Sequence, residues 1–384
     1  MTDLTTCIDE LRTLVGFPTV SADSNLGLIH HIAGVLEHHG ARVEVQHDPS
    51  GQKANVLATF GPDRDGGIVL SGHTDVVPVA DQPWSSDPFE LTEAEGRLHG
   101  RGTCDMKGFI AACIALAPRF AEAATTRPLH MAFTYDEEVG CLGGQALVDH
   151  LREKGLRPAM AIIGEPTEMR VIEGHKGCYE YTTRFTGLEG HGSSPDLGVN
   201  AVDYAVRYVT RLIELSDRLR DRAPEGSQFE PPWSTINTGA LHGGIAHNVI
   251  PGTAEVEWEM RPVQKSDADF VKSDLAAYVA ETLLPAMRQV DARARIETET
   301  IAEVDGLEPM DDNAARDLCM ELTGANGCGL VPFGTEAGLF QKLGTSAVVC
   351  GPGSIAQAHK PDEFVAVDQI EACLAMLTKL TRKL

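Results

Sequence analysis

Two hydrophobic periods alternate along the first part of this chain. Leu4, Ile8, Leu11, Leu14 and Val15 recur at helical spacing, and Gly16 and Pro18 stop the run. A second helical stretch runs from Leu26 to His39, with Gly40 placed to close it in a left-handed conformation. Arg42–Gln46, Asn55–Phe60 and Gly67–Ser71 then predict strands. Met106–Ala117 predicts a helix rich in small residues, Leu129–Tyr135 a strand, Gly143–Lys154 a helix and Ala159–Ile163 a buried strand. This alternation predicts an α/β layer, a mixed and mainly parallel sheet with helices on both faces.

Near Gly177 the pattern changes. Cys178–Phe185 alternates like a half-exposed strand. Asn200–Arg220 is a long amphipathic helix with Val202, Ala205, Val206, Val209 and Leu212 on its apolar side. Strands at Ser234–Leu241 and Thr253–Met260, a helix at Asp267–Met287 and a strand at Ala292–Glu299 complete the order βαββαβ, a ferredoxin-like unit. The α/β pattern then resumes with helices Ala314–Leu322 and Glu336–Leu343, strand Ser346–Cys350 and helix Asp368–Leu380. The expected division is therefore 1–176 with 302–384 as one domain and 177–301 as an insertion.

Composition narrows the partners. The 384 residues carry a formal net charge of -24, which repels nucleic acid and anionic membrane, so neither is an expected partner. No apolar run approaches the roughly 20 residues of a membrane span. Nine cysteines, without paired CxxC spacing or a secretory leader, argue against a disulfide framework and for a cytoplasmic enzyme.

Five places set a His, Asp or Glu just after a predicted strand or in a glycine-rich turn. They are Gly72-His73-Thr74-Asp75, Gly100-Arg101-Gly102-Thr103-Cys104-Asp105-Met106-Lys107-Gly108, Asp136-Glu137-Glu138-Val139-Gly140, Gly164-Glu165-Pro166-Thr167 and Ala358-His359-Lys360-Pro361-Asp362. An isolated Glu-Glu pair is more often a solvated turn than a site. Five such places at one end of successive strands form a constellation, since open α/β sheets build their sites there. Histidines mixed with carboxylates suit borderline-hard divalent ions, zinc first, with cobalt or manganese as alternatives. Two ions sharing a carboxylate could hold a hydroxide between them. His73, Asp105, Glu138, Glu165 and His359 fit that stoichiometry, which leaves Glu137 for acid/base work.

These motifs, in this order, resemble the co-catalytic zinc aminoacylase and carboxypeptidase family over essentially the whole chain. The resemblance implies a zinc-peptidase-like catalytic domain holding two divalent ions, Zn²⁺ in the first place and Co²⁺ as a substitute, with the insertion as a lid and dimerisation domain. It implies that Asp105 bridges the ions, His73 and Glu165 complete one, and Glu138 and His359 complete the other. Asp75 would hydrogen-bond His73, Glu137 would be the general base, and the Asp105–Met106 peptide would be cis. Glu189-Gly190-His191-Gly192-Ser193-Ser194-Pro195 resembles the segment of the lid histidine, so His191 would stabilise the oxyanion in a partner subunit's site of a homodimer. His247-Asn248-Val249 and Arg261-Pro262 place Asn248 and Arg261 on the substrate, Arg261 clamping its α-carboxylate.

Ala161–Thr167, His175-Lys176-Gly177, Thr335-Glu336-Ala337 and Gly351–His359 are most similar to members that deacetylate N2-acetylornithine. That reaction, on a small N-acyl amino acid, is the expected activity, with Glu336 as the expected partner of the substrate ammonium. The other readings are removal of succinyl from diaminopimelate, general aminoacylase, acetylcitrulline deacetylase or carboxypeptidase activity, or a scaffold that has lost catalysis. Cys104 and Cys141 depart from the commonest family pattern, and Cys104 reads as a spectator.

Overall fold

Strands in the middle of a sheet are covered on both faces. Every residue of Ile68–His73, Leu129–Thr134 and Met160–Pro166 is buried. A computed structural model describes residues 2–384. In it these strands lie at the centre of an eight-stranded sheet. Its order is Arg42–His47, Ala54–Phe60, Leu129–Thr134, Ile68–His73, Met160–Pro166, Ser346–Gly351, Ile172–His175 and Gly329–Val331. The four strands from Leu129–Thr134 to Ser346–Gly351 run parallel, and antiparallel neighbours flank them.

Side chains alternate across a strand, so each sheet face has its own set. Ile68, Leu70, Leu129, Met131, Phe133, Met160, Ile162 and Val348 join one core with helices Asp3–Val15, Leu26–His38, Gly108–Ala115 and Val367–Leu380. Ser71 and Thr134 point the other way, towards Glu336 at the start of helix Ala337–Lys342, which packs beside helix Leu142–Glu153. Helices therefore cover both faces. Asn313 fastens one of them: its side-chain oxygen caps helix Ala314–Thr323 while its amide donates to the Ala347 carbonyl.

Two departures from the hydrophobic pattern shape the site. The helix expected from Met106 begins only at Gly108, because Thr103–Lys107 forms a tight irregular turn with extended backbone at Asp105. That helix ends at Ala115, and Pro118 lies in the first turn of its successor, Ala117–Ala123. The second departure is a small sheet of Thr92–Ala94, Arg97–His99 and Phe364–Ala366, whose three-residue strands are too short to show a period.

The described chain divides into two compact units. One comprises the residues up to Gly174 with Pro309–Leu330 and Thr335–Leu384, and the other His175–Glu308 with Val331–Gly334. The second unit extends past residue 301 because strand Arg295–Val304 pairs along its length with Cys178–Thr186. Its antiparallel sheet has the order Thr235–Gly243, Thr253–Arg261, Cys178–Thr186, Arg295–Val304, which is the ferredoxin-like arrangement of a βαββαβ chain. Helix Ala201–Arg220 buries Ala205, Tyr208, Leu212, Leu215 and Leu219 there, whereas Val206 is half exposed. The helix expected over Asp267–Met287 is broken by a π-type turn at Val279–Leu283, just before Pro285, which has no N–H to continue the ladder.

Candidate active site

Parallel strands bring their C-terminal ends into one row, and most of the acidic and histidine motifs leave from that row. His73 ends strand Ile68–His73, Glu165 lies near the end of Met160–Pro166, the acidic turn follows Leu129–Thr134, and His359 sits in the loop after Ser346–Gly351. Asp105 arrives from the turn before helix Gly108–Ala115, and its peptide bond to Met106 is cis.

These side chains converge. His73 Nε2 is 3.0 Å from Asp105 Oδ1 and 3.7 Å from Glu165 Oε1. His359 Nε2 is 3.0 Å from Glu138 Oε2 and 3.4 Å from Asp105 Oδ2. Asp105 thus turns one oxygen towards each histidine. Donor atoms of His73, Asp105 and Glu138 lie within 4.8 Å of one another, as do those of His73, Glu137 and Glu165.

The electrostatics ask for positive charge. Burial, then the Asp105 charge, raises the Glu165 carboxyl well above its ordinary range, and Glu138 is raised for the same reasons. Burial also raises Glu137, helped by Glu138, Glu336 and Asp105. Although burial works the other way, Glu165, Asp105 and Asp75 hold His73 above the usual imidazole range. Asp105 and Glu138 push His359 up to about 10. A cluster of carboxylates around two imidazoles, largely out of water, is a donor set that divalent cations would neutralise. The nearby thiols do not compete for that role. Burial raises both Cys104 and Cys141 above the ordinary thiol range, and Cys104 Sγ donates to the Ser354 carbonyl at 3.3 Å.

Asp75 does more than the sequence motif suggested. His73 Nδ1 meets its main-chain carbonyl at 2.9 Å, while its carboxylate Oδ1 stands 3.5 Å away. The carboxylate instead accepts from the Glu137 and Glu138 amides at 3.1 and 3.3 Å and from the Ser21 hydroxyl at 2.7 Å. One residue therefore holds both the first histidine and the acidic turn. Lys53 pairs with Asp136 in the same turn.

Sequence reading missed two contributors. Glu363 Oε1 accepts from the amides of Cys104 and Asp105 at 2.9 and 3.0 Å, and its Oε2 accepts from buried Arg101 at 2.7 Å. Cys141, noted above as a departure from the family pattern, has its Sγ 3.4 Å from Glu137 Oε1. Glu363 directly follows the quoted His359 motif, yet its partner Arg101 is 262 residues away in sequence, and no local pattern pairs them.

Glu336 requires a correction. It is 1% exposed, with Oε1 2.5 Å from the Thr134 hydroxyl and Oε2 3.3 Å from that of Ser71. It is a buried support of the sheet's second face, with no open carboxylate to offer a substrate ammonium.

The remaining residues expected from the sequence, His191, Asn248 and Arg261, belong to the second unit. Strands Gly190–His191 and Val249–Ile250 pair, and Gly192 N–H donates to the Asn248 carbonyl at 2.8 Å, so exposed His191 and Asn248 are neighbours. His191 Nδ1 accepts from the Ser193 amide at 3.2 Å, which leaves the proton of a neutral ring on Nε2. Arg261 ends strand Thr253–Arg261 and forks onto Glu259 at 2.6 and 3.0 Å.

Comparison with known proteins agrees with this geometry. The Proteus mirabilis protein named acetylornithine deacetylase is 38% identical over 98% of this chain and 96% of its own. At 16% identity, the M20 family metallo-carboxypeptidase Sso-CP2 from Sulfolobus solfataricus has the same fold, with a TM-score of 0.74 over 100% of this chain and 99% of its own. The YXEP protein of Bacillus subtilis, a dinuclear metal binding peptidase, superposes with a TM-score of 0.67 at 16% identity over 99% of this chain and 98% of its own. Residues 69–383 match the profile of peptidase family M20/M25/M40, and to that family the chain belongs.

Proposed function

We propose that this chain, a hydrolase of amide bonds, removes the acetyl group from N2-acetyl-L-ornithine to give L-ornithine and acetate. The observation that carries the reaction is Asp105, whose two carboxylate oxygens face His73 and His359 separately. The substrate rests on the near full-length similarity to relatives named for that activity. Asp105 would be shared by two divalent ions, one held also by His73 and Glu165, the other by Glu138 and His359. Zinc suits this donor set best, and cobalt would replace it. Such ions supply Lewis acidity for the scissile carbonyl and for the attacking water.

The protein's own groups then move protons and hold charge. Glu137 takes a proton from water as the oxygen attacks the acetyl carbon, and its buried setting strengthens it as a base. It returns that proton to the nitrogen as the C–N bond breaks, so water is divided between acetate and the free amine. Asp75 keeps Glu137 in place through its amide. His191, through its Nε2–H, donates to the developing oxyanion. Asn248 and Arg261 bind the substrate, Arg261 through its α-carboxylate.

A homodimer formed through the second unit fits these assignments. Eight residue steps along strand Thr253–Arg261 span about 26 Å, and His191 and Asn248 lie beyond the Thr253 end. One copy of the unit cannot present both ends to one acetylated amino acid, whereas two copies can. Edge strand Thr235–Gly243, with exposed Leu241 and nearby Ile245, and the exposed Val206 and Ile213 of helix Ala201–Arg220 offer apolar surface for the contact. Nine free cysteines suit a reducing, cytoplasmic compartment.

A substrate panel tests the reading. Purified protein with Zn²⁺ or Co²⁺ would be given acetylornithine, acetylcitrulline, acetylmethionine and succinyl-diaminopimelate, and free amine measured. Acetylornithine is expected to give the highest kcat/KM. Preference for another member would replace the substrate, and no turnover of any would overturn the catalytic reading.

A further inference from the structure

Arg101 is a buried cation whose partners are not part of the reaction. It is 1% exposed and forms an ion pair with Glu363, which is equally buried. Breaking a buried pair leaves an uncompensated charge, so an arrangement of this kind is rigid. Glu363 holds the turn that carries Asp105, accepting two consecutive amides of that turn at 2.9 and 3.0 Å.

The same guanidinium reaches the loop that carries His359. Arg101 Nη1 donates to the Lys360 carbonyl at 3.3 Å, and Nη2 donates to Gln82 Oε1 at 2.6 Å. Gln82 in turn donates through Nε2 to the His359 carbonyl at 3.0 Å. Trp84 lies over the guanidinium at 5.0 Å and donates to Gln82 Oε1 at 3.1 Å. Ser85 meets Asp362 Oδ1 through both its amide and its hydroxyl at 2.8 Å. His359 has a positive φ of 63°, which a non-glycine residue keeps only where its surroundings impose it. Pairing of Phe364 with His99 anchors the far end of the loop, and the Gly100 amide bonds the Glu363 carbonyl at 2.9 Å.

We propose that Arg101, with Gln82 and Glu363, is a positioning network that sets the gap between Asp105 and His359. It thereby controls the affinity of the one ion those two ligands share. The proposal rests on the two-ion reading above. Of the two ligand-bearing segments, Gln82 bonds directly only to the His359 loop and meets the Asp105 turn only through Arg101, so its loss acts mainly on the ion that His359 holds. Glu363 holds the amide of the shared Asp105, so its loss acts on both. Neither residue touches substrate or the reacting atoms.

Zinc binding to the metal-free protein, followed by titration calorimetry, tests this. Cobalt would be bound in parallel and its visible absorption recorded. Wild type is expected to bind two equivalents. In Gln82→Met one equivalent should bind as before and the other about 10- to 100-fold more weakly. In Glu363→Gln both should weaken. His359→Ala should abolish the same step that Gln82→Met weakens, and Gln82→Met should add nothing in the His359→Ala background. Thermal unfolding of the metal-free variants separates ligand positioning from general destabilisation: Gln82→Met, which leaves Arg101 Nη2 and Trp84 Nε1 without that acceptor, should unfold in one cooperative step slightly below wild type. Gln82 is half-buried where Glu363 is fully buried, so this variant tests the network even where Glu363→Gln does not fold. Two unchanged equivalents in Gln82→Met, or equal weakening of both, would overturn the network. Fewer than two equivalents in wild type would overturn the two-ion reading and the network with it.

Discussion

The acidic turn gives adjacent residues different work. Glu137 and Glu138 are consecutive, yet Glu138 faces His359 while Glu137 groups with His73 and Glu165. Replacing Glu137 with Gln keeps size and hydrogen bonding but removes the base. Turnover is expected to fall by about 10²- to 10⁴-fold with metal content unchanged, checked by kinetics alongside elemental analysis. Near-wild-type kcat would remove Glu137 from its role. The chemistry at this scale was largely legible, because each ligand type stands beside a glycine or a strand end where backbone can approach an ion. Glu336 was misread as the partner of the substrate ammonium, because sequence does not show burial and only the packing shows Thr134 and Ser71 occupying its carboxylate. Glu363 and Arg101 escaped notice because hydrogen-bonded pairing between distant segments leaves no local period.

At the scale of elements, the site depends on how closely the helix after Asp105 sits on the sheet. A Cβ added to Gly164 would lie 2.0 Å from the Phe109 ring of helix Gly108–Ala115, next to Glu165 in the sequence. Gly164→Ala should therefore destabilise the fold by about 1–3 kcal/mol and displace Glu165 relative to Asp105. Urea unfolding and metal content would both register it, and an unchanged midpoint would show that the helix shifts freely. The long strands and helices follow from their apolar periods. The irregular turn at Thr103–Lys107 and the three-residue strands do not, since their geometry comes from partners brought in by the rest of the fold.

At the scale of the molecule, two buried histidines couple stability to pH. Burial pushes His130 and His175 down to about 4, one in each unit. Both stay neutral in the folded chain, while the unfolded chain binds protons below about 6.5. Their contribution is complete above that pH and is lost as pH falls towards 4, at about 3 kcal/mol for each. Urea midpoints at pH 7.5 and 4.5 would show the loss, and His130→Leu should reduce it; an equal loss in that variant would assign the effect elsewhere.

Cooperation between subunits is testable as well. Glu137→Gln and His191→Ala proteins, each inactive alone, should regain activity when mixed and allowed to exchange subunits, since one site would then combine an intact Glu137 with the partner's intact histidine. Failure to recover would place His191 in its own subunit's site. Local patterning was enough to establish the alternation of strands and helices, the inserted βαββαβ unit and the histidine and carboxylate residue types that converge at the strand ends, because periods and glycine turns are short-range properties. Which carboxylate meets which histidine, that Glu336 is sealed beneath the sheet, and that Arg101 ties two ligand loops together all depend on contacts between segments far apart in the chain. Those contacts exist only once the sheet has brought its strand ends into one row.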